Sequence, residues 1–289
     1  KVVAFDIVAA TQVSKLKSLE KYVWLGDLLY ETNFYNYLYD LLDDWKKIKS
    51  FLYILVQNYI IKKIYKKTLV TYKKIIVSSK SSEKKLKKLG IYSKFLSYPW
   101  PIEHGKVITQ KSIKILFFGN LMGLGSKSSI RVLVKEIYPR LLKKFGSGNF
   151  EIKIVGKLTK EISKRFENKK EFIMHGFVKN LSKIFSTSTC LLFPGNVPVG
   201  NRCRIITAMS SKCLVVADQS TQLGNPYLID YKTALLAKDS DELIDKIEFA
   251  IKNPEISKNI KINGYKTFLK YYSYKSAGNL FYKEIIKGK

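Results

Sequence analysis

The chain is poor in almost every residue that marks a metal or covalent site. It has two histidines, His104 and His175, three cysteines, Cys190, Cys203 and Cys213, and five arginines against forty-seven lysines. Two histidines make a His-based metal site improbable, and the cysteines show no paired ligand spacing. Their odd number argues against a disulfide framework, and Cys190 and Cys213 fall in apolar runs that read as reduced core. A reducing, cytoplasmic compartment follows. No apolar run reaches the ~20 residues that span a bilayer. There is no Walker loop, no G-x-G-x-x-G fingerprint, no Ser-His-Asp or Cys-His constellation and no carboxylate pair at a telling spacing.

What the chain has is lysine. Its 289 residues carry a net charge of +29 and are 46% hydrophobic, enough for one large or two medium domains with real cores. The charge has three readings: compositional bias, since Lys, Ile, Tyr, Phe and Asn are all plentiful; attraction to an anionic membrane; or nucleic acid. Scarce Arg and the lack of any nucleic-acid motif disfavour the last, so no specific nucleic-acid partner is expected. Bias is the preferred reading, with peripheral contact at the inner face of a membrane next. The run FLYILVQNYII, Phe51 to Ile61, is flanked by Lys46, Lys47, Lys49, Lys62, Lys63, Lys66 and Lys67. It reads as a buried helix with solvated ends in preference to an interfacial membrane helix. Because the chain opens with Lys in a strand-like run, VVAFDIVAA, it is expected to be a fragment.

Strand and helix patterns alternate on both sides of Tyr98 to Gly105, YPWPIEHG, where two prolines forbid a continuing helix. This predicts α/β architecture with parallel sheets, split into an incomplete domain over 1–100 and a fuller one over 105–272, with a terminal helix over 273–289. In the first part, VVAFDIVAA, KYVWLG and KIIVSS read as strands. Asp40 to Lys67 reads as helix, and so does Ser81 to Leu89, capped by Ser81. In the second, KILFFG, FEIKIVG, FIMHG, CLLFPG, CLVVAD and TALLA are expected strands. Helices are expected over Ser128 to Phe145, Lys160 to Phe166, Asn180 to Ser186 and Arg202 to Ser211.

Ligands of parallel sheets sit at the carboxyl ends of strands. Four loops there carry unusual residues. GNLMGLGSK holds Gly119, Asn120 and Lys127; three glycines permit close backbone approach and Lys127 could reach a phosphate. Gly176, Phe177 and Val178 follow His175. Gly195 precedes Pro198-Val199-Gly200-Asn201, which leads into Arg202 and Arg204 at a helix start. Gly224 and Asn225 form a turn after CLVVAD. A cation at a helix N-terminus opposes the macrodipole unless an anion sits there, and the Arg fork suits phosphate. Residues two apart on a helix point about 200° apart, so Arg202 is preferred over Arg204 as the pocket cation. In the first domain Asp27 is the best-placed acid, with a plain N-cap as its alternative role.

The order FFGNL, EIKIVG, MHGFVKNLSKIFSTSTCLLFPG, GNRCRIITAMSSKCLVVAD and LLAKDSDELIDKI resembles the nucleotide-binding half of GT-B-fold glycosyltransferases of the group 1 (glycogen-synthase-like) superfamily. KYVWLGDLLYET and KKIIVSSKSSEKKLKKLGIYSKFLSYPWP are similar to the later strands of the acceptor domain and the hinge. The resemblance implies two Rossmann-like domains facing across a cleft, the first incomplete, with the earlier acceptor-domain strands lying before Lys1. It implies transfer of a sugar, without a metal or cofactor, from a nucleotide-diphospho sugar to a glycan, lipid-linked or protein-linked acceptor, in cell-surface polysaccharide synthesis. It places Gly119, Asn120 and Lys127 by the diphosphate, Gly176 to Val178 by the base, Arg202 with its loop by phosphate or sugar, and Asp27 on the acceptor side. Two glutamates that the family often places eight apart correspond here to Val199 and Thr207. A non-catalytic nucleotide-binding subunit and a basic surface binder are the rival readings.

Overall fold

The structure, a computed structural model, describes residues 1–103, 105 and 113–287. His104 lies outside them. The first unit runs β1 (Val2–Phe5), α1 (Asp6–Val13), β2 (Lys21–Leu25), α2 (Leu29–Asp43), α3 (Ile48–Leu69), β3 (Lys74–Val77), α4 (Lys80–Lys88) and β4 (Lys94–Phe95). Its four strands pair in parallel in the order β1-β2-β3-β4. Alternate residues of each strand point to opposite faces. Val23, Leu25 and Val77 join Ile7, Tyr65 and Leu86 on one side, while Tyr22, Trp24 and Ile76 join Leu96 on the other.

The second unit runs β5 (Ile113–Phe118), α5 (Leu124–Val132), a π-helical turn (Leu133–Ile137), α6 (Tyr138–Phe145), β6 (Phe150–Val155), α7 (Lys160–Lys164), β7 (Phe172–Gly176), α8 (Ser182–Ser186), β8 (Cys190–Phe193), α9 (Cys203–Ser210), β9 (Val215–Asp218) and β10 (Leu235–Ala237). Three helices close the chain: α10 (Ser240–Lys252), α11 (Pro254–Tyr271) and α12 (Tyr274–Phe281). The parallel sheet has the order β10-β9-β8-β5-β6-β7. Ile115, Phe117, Ile152, Ile154 and Val216 pack under one helical layer, and Leu116, Phe118, Leu191, Phe193 and Val215 under the other. Such strands, covered on both faces, read as unbroken apolar runs.

The last helix and the turn after it lie on the first unit. Phe281 stacks 6.5 Å from Phe5 and 5.0 Å from Trp24, and Lys74 reaches Glu284 at 2.8 Å.

Four expectations are corrected. VVAFDIVAA is strand only to Phe5, because Asp6 turns left-handed (φ 70) and its carboxylate accepts from Val8 N and Ala9 N, starting a helix. The helix expected from Asp40 begins at Leu29 and breaks at Asp44, which is extended and caps Lys46 N. The cap of α4 is Ser79, whose hydroxyl accepts from Ser82 N, while the Ser81 hydroxyl donates instead to Pro198 O at 2.7 Å. The run Phe51 to Ile61 is helical, but only a narrow stripe of it is buried.

Candidate functional site

Strand order reverses between β5 and β8: one leads on to β6, the other to β9, so the loops after them part and leave a crevice. Gly119 closes β5 in a conformation only glycine adopts easily (φ 125), and a Cβ there would stand 2.8 Å from the Arg204 side chain. The chain then turns into α5 with Gly123 as its N-cap residue. Asn120 is absorbed by this turn; its side-chain oxygen accepts from Met122 N at 3.1 Å. Across the crevice, the Gly195 backbone packs directly on the Ser128 and Ser129 hydroxyls of α5, leaving no room for a side chain.

Arg202 and Arg204 meet in this crevice. Arg202 precedes the first helical residue of α9 and has non-helical backbone (φ −96, ψ 75), so the expected 200° separation does not apply. Both guanidinium carbons lie over the Phe193 ring, at 5.4 and 5.1 Å from its centroid, and Arg204 also covers Phe117 at 5.5 Å. A Cβ on Gly125, in the first turn of α5, would be 3.2 Å from Arg204 Nη2 and 3.9 Å from Arg202 Nη1. Two cations thus face one helix N-terminus.

Their electrostatics are unbalanced. Arg202 is 9% exposed and donates through Nη2 to Val197 O, yet its Nε and the Nη1 of Arg204 are buried without partners. Burial, aided by Arg202, holds Arg204 down to about 10, still charged at neutral pH. Burial likewise lowers Arg202, opposed by the charges of Asp27 and Asp218. Among the described residues no carboxylate lies within ion-pair distance of either guanidinium. Buried unpaired N–H donors carry a desolvation penalty of roughly 1–3 kcal/mol each, which an incoming anion would relieve.

Asp27 comes from the other domain. It follows β2, is open to solvent at the base of the cleft, and packs against Gly200 (φ 79). Surrounding protein raises its pKa, while Arg202, the Asn201 backbone N–H and Lys85 pull it back down. Asn225, expected to face a ligand, is fully buried instead. Its oxygen accepts from Arg202 N and its nitrogen donates to Asn201 Oδ1, both at 3.1 Å, so it holds the arginine loop. Gly224 abuts the Gly200 carbonyl.

Lys127 is on α5, but its ammonium meets Asp40 of α2 at 2.9 Å. Two further pairs span the cleft, Arg131–Asp43 at 2.8 Å and Arg165–Asp43 at 2.9 Å. Tyr39 reaches Asn196 at 3.5 Å, and Lys85 donates to Pro198 O at 3.0 Å. Gly176, Phe177 and Val178 stand at the end of β7, two strands from β5 and hence ~10 Å away. Gly176 is left-handed (φ 68) and Phe177 is 76% exposed. A cavity of about 680 Å³ opens between the domains, bordered by Lys80, Lys84, Asn196, Asp218 and Lys238.

Val199 is buried, and the Thr207 hydroxyl accepts from Trp100 Nε1 at 3.0 Å and donates to Cys203 O at 2.9 Å. Neither position offers a carboxylate. Tyr39 and Asp218 are among the cleft residues that sequence reasoning missed. Asp218 had a signal, as the acid ending CLVVAD; Tyr39 had none. Among the described residues no cluster could hold a metal ion.

The family model of glycosyl transferases group 1 matches residues 112–253. No curated protein is a significant match. Solved structures similar to the chain include TarM, 17% identical, with a TM-score of 0.73 over 97% of this chain and 53% of that one. Anabaena HepE in complex with UDP-glucose is 12% identical, TM-score 0.73, over 99% and 78%. Sucrose-phosphate synthase from Thermosynechococcus elongatus is 11% identical, TM-score 0.72, over 99% and 74%. The chain spans about half the length of TarM. The fold is that of GT-B glycosyltransferases, and residues 112–253 match the family model of glycosyl transferases group 1.

Proposed function

We propose that the chain moves a hexosyl group from a nucleotide-diphospho sugar to an acceptor hydroxyl in the cleft between its two units. The observation that carries this is the pair of buried Arg202 and half-buried Arg204, with unpartnered N–H groups, aimed at the α5 N-terminus at the switch point of the sheet. A diphosphate there would receive charge-assisted hydrogen bonds from both guanidiniums and from the first amides of α5. As the sugar leaves, negative charge grows on the distal phosphate, and these fixed donors stabilise it. They supply the positive charge that a metal supplies elsewhere. Lys127 would join them by leaving Asp40. The ~10 Å from β5 to β7 suits a ribose and base reaching Gly176, Phe177 and Val178. Asp27, on the opposite wall, is placed to orient an acceptor hydroxyl. HepE, a neighbour in fold, is solved with UDP-glucose.

The acceptor in this reading is a glycan or a lipid- or protein-linked group of a cell-surface polysaccharide. The protein would act in the cytoplasm in peripheral contact with an anionic membrane, for which the net charge of +29 is the support.

A thermal-shift panel of UDP-, GDP- and ADP-sugars tests the site. A true donor at 100 times its Kd adds ~2.7 kcal/mol, on the order of 5 °C at this chain length. Arg202→Ala should abolish that shift and slow transfer on the order of 10²-fold or more. No shift with any of the sugars would sink the donor site. A second reading, a non-catalytic nucleotide-binding subunit, is favoured by Val199 and Thr207 standing where carboxylates are common in the family. It predicts the same shift with no release or transfer of a labelled sugar.

A further inference from the structure

Among the described residues, helix α3 has one side in the domain and no cover on the other. Its buried stripe is Ile54, Asn58, Tyr65, Thr68 and Leu69. The outer side presents Leu52, Tyr53, Leu55, Val56, Tyr59 and Ile60, with Tyr53 63% and Tyr59 61% exposed. Trp45, 75% exposed, stands just before it. Its middle turns, Phe51 to Ile61, carry apolar residues on the outer side as well as the buried one, and an apolar side outside a core is a surface for a partner or lipid.

We infer that this outer face of α3 is a docking surface for an anionic lipid bilayer, the helix lying in the plane of the interface. Charge selects the occupant. From Trp45 to Leu69 there are seven lysines and no acid: Lys46, Lys47 and Lys49 at one end, Lys62, Lys63, Lys66 and Lys67 at the other. Lys63 sits over the Tyr59 ring at 4.5 Å, so cation and aromatic are presented together. Lysine stems that extend to headgroups, a Trp and two Tyr at headgroup level and an apolar strip in the acyl boundary make up an interfacial helix. A second copy docked by two-fold symmetry would set these seven cations against seven more. No described helix is long and apolar enough to cross a membrane, so this one lies on it.

The inference rests on the membrane-contact reading above and names the surface and lipid class for it. α2 packs along α3 and turns Tyr39 and Asp40 toward the cleft. A bilayer under α3 is therefore separated from the cleft by α3 and α2, roughly two helix diameters or ~20 Å.

The test is flotation of the full chain with phosphatidylcholine vesicles, with and without one-third phosphatidylglycerol, thermal unfolding checking the fold of each variant. The wild type should bind only the anionic vesicles, and less as salt rises. Replacing Lys62, Lys63, Lys66 and Lys67 together by Gln should lower partitioning on the order of 10²–10³-fold at ~1 kcal/mol per lysine. The triple variant Leu52→Gln, Val56→Gln, Tyr59→Gln should also bind weakly but keep its salt dependence. Wild type that ignores anionic vesicles overturns the membrane reading and the inference together. Wild type that binds while both variants bind equally well overturns the α3 face alone. Self-association lost in the triple variant, without vesicle binding, assigns the face to a second copy and overturns the lipid.

Discussion

Asp27 and Gly200 belong to different domains, and the carboxylate of one packs so closely on the backbone of the other that no side chain fits between them. Gly200 also has φ 79, a conformation that costs an L-residue roughly 1–2 kcal/mol. On the proposed function, Gly200→Ala should therefore force the cleft wall apart, dropping transfer at least ~10-fold while the donor nucleotide still binds through Arg204. Adding Asp27→Ala should restore the closed geometry in small-angle scattering, since only the collision, not the backbone strain, is removed. An alanine variant that closes like wild type would show that the contact does not set the cleft.

Among the described residues Arg204 has no carboxylate partner, and it shares the face of Phe193 with the like charge of Arg202. Arg204→Met keeps most of the packing over Phe193 and Phe117 while removing one of two like charges. The variant is expected to unfold at the same temperature as wild type or higher without ligand, and to lose most of the nucleotide-sugar shift. Paired melting curves read both; a large drop in unliganded stability would mean the cation holds the fold rather than the donor.

Asp27 titrates above its ordinary range because of the protein around it. Its folded pKa exceeds the unfolded one, so the ionised form is destabilising, and stability is regained as pH falls through the folded value toward ~3.9. Asp27→Asn should accordingly melt higher than wild type at pH 7, with the gap closing below about pH 4. If Asp27 orients the acceptor, the acid limb of the transfer rate sits above the usual Asp range in wild type and vanishes in the Asn variant.

Glu171 shows the opposite sign. Burial pushes it up, but hydrogen bonds from Ser147, Tyr138 and the Gly148 N–H outweigh that and bring it to about 2. Its contribution is complete above the ordinary Glu value and is lost as pH falls toward about 2. Glu171→Gln should lose on the order of 2–3 kcal/mol at pH 7 in urea melts, with little difference left near pH 2.

The second unit was legible because buried parallel strands leave unbroken apolar runs; KILFFG, FEIKIVG and CLLFPG mark β5, β6 and β8 within two residues. The first unit was less so. α2, LYETNFYNYLYDLLD, scatters Asn, Asp and Glu among its apolar residues, and β1 ends where a single Asp side chain captures two amides. At the site, the arginine loop and its glycines could be found from strand ends alone. Their convergence could not, because it depends on Arg202 lying just outside helical backbone. Nor could Tyr39, or the Asp40 partner of Lys127, since both arrive from a distant helix that no local pattern ties to the loop.

The carboxyl-terminal segment crosses back beside the first crossing. Trp100 N donates to Tyr272 O at 2.7 Å, so the outgoing and returning strands of chain are stitched together where they pass between the domains. Beyond that stitch, Glu284 grips Lys74 and Lys94 like a clasp on the far lobe. A chain shortened before Tyr274 would lose the clasp and leave one covalent connection between the lobes.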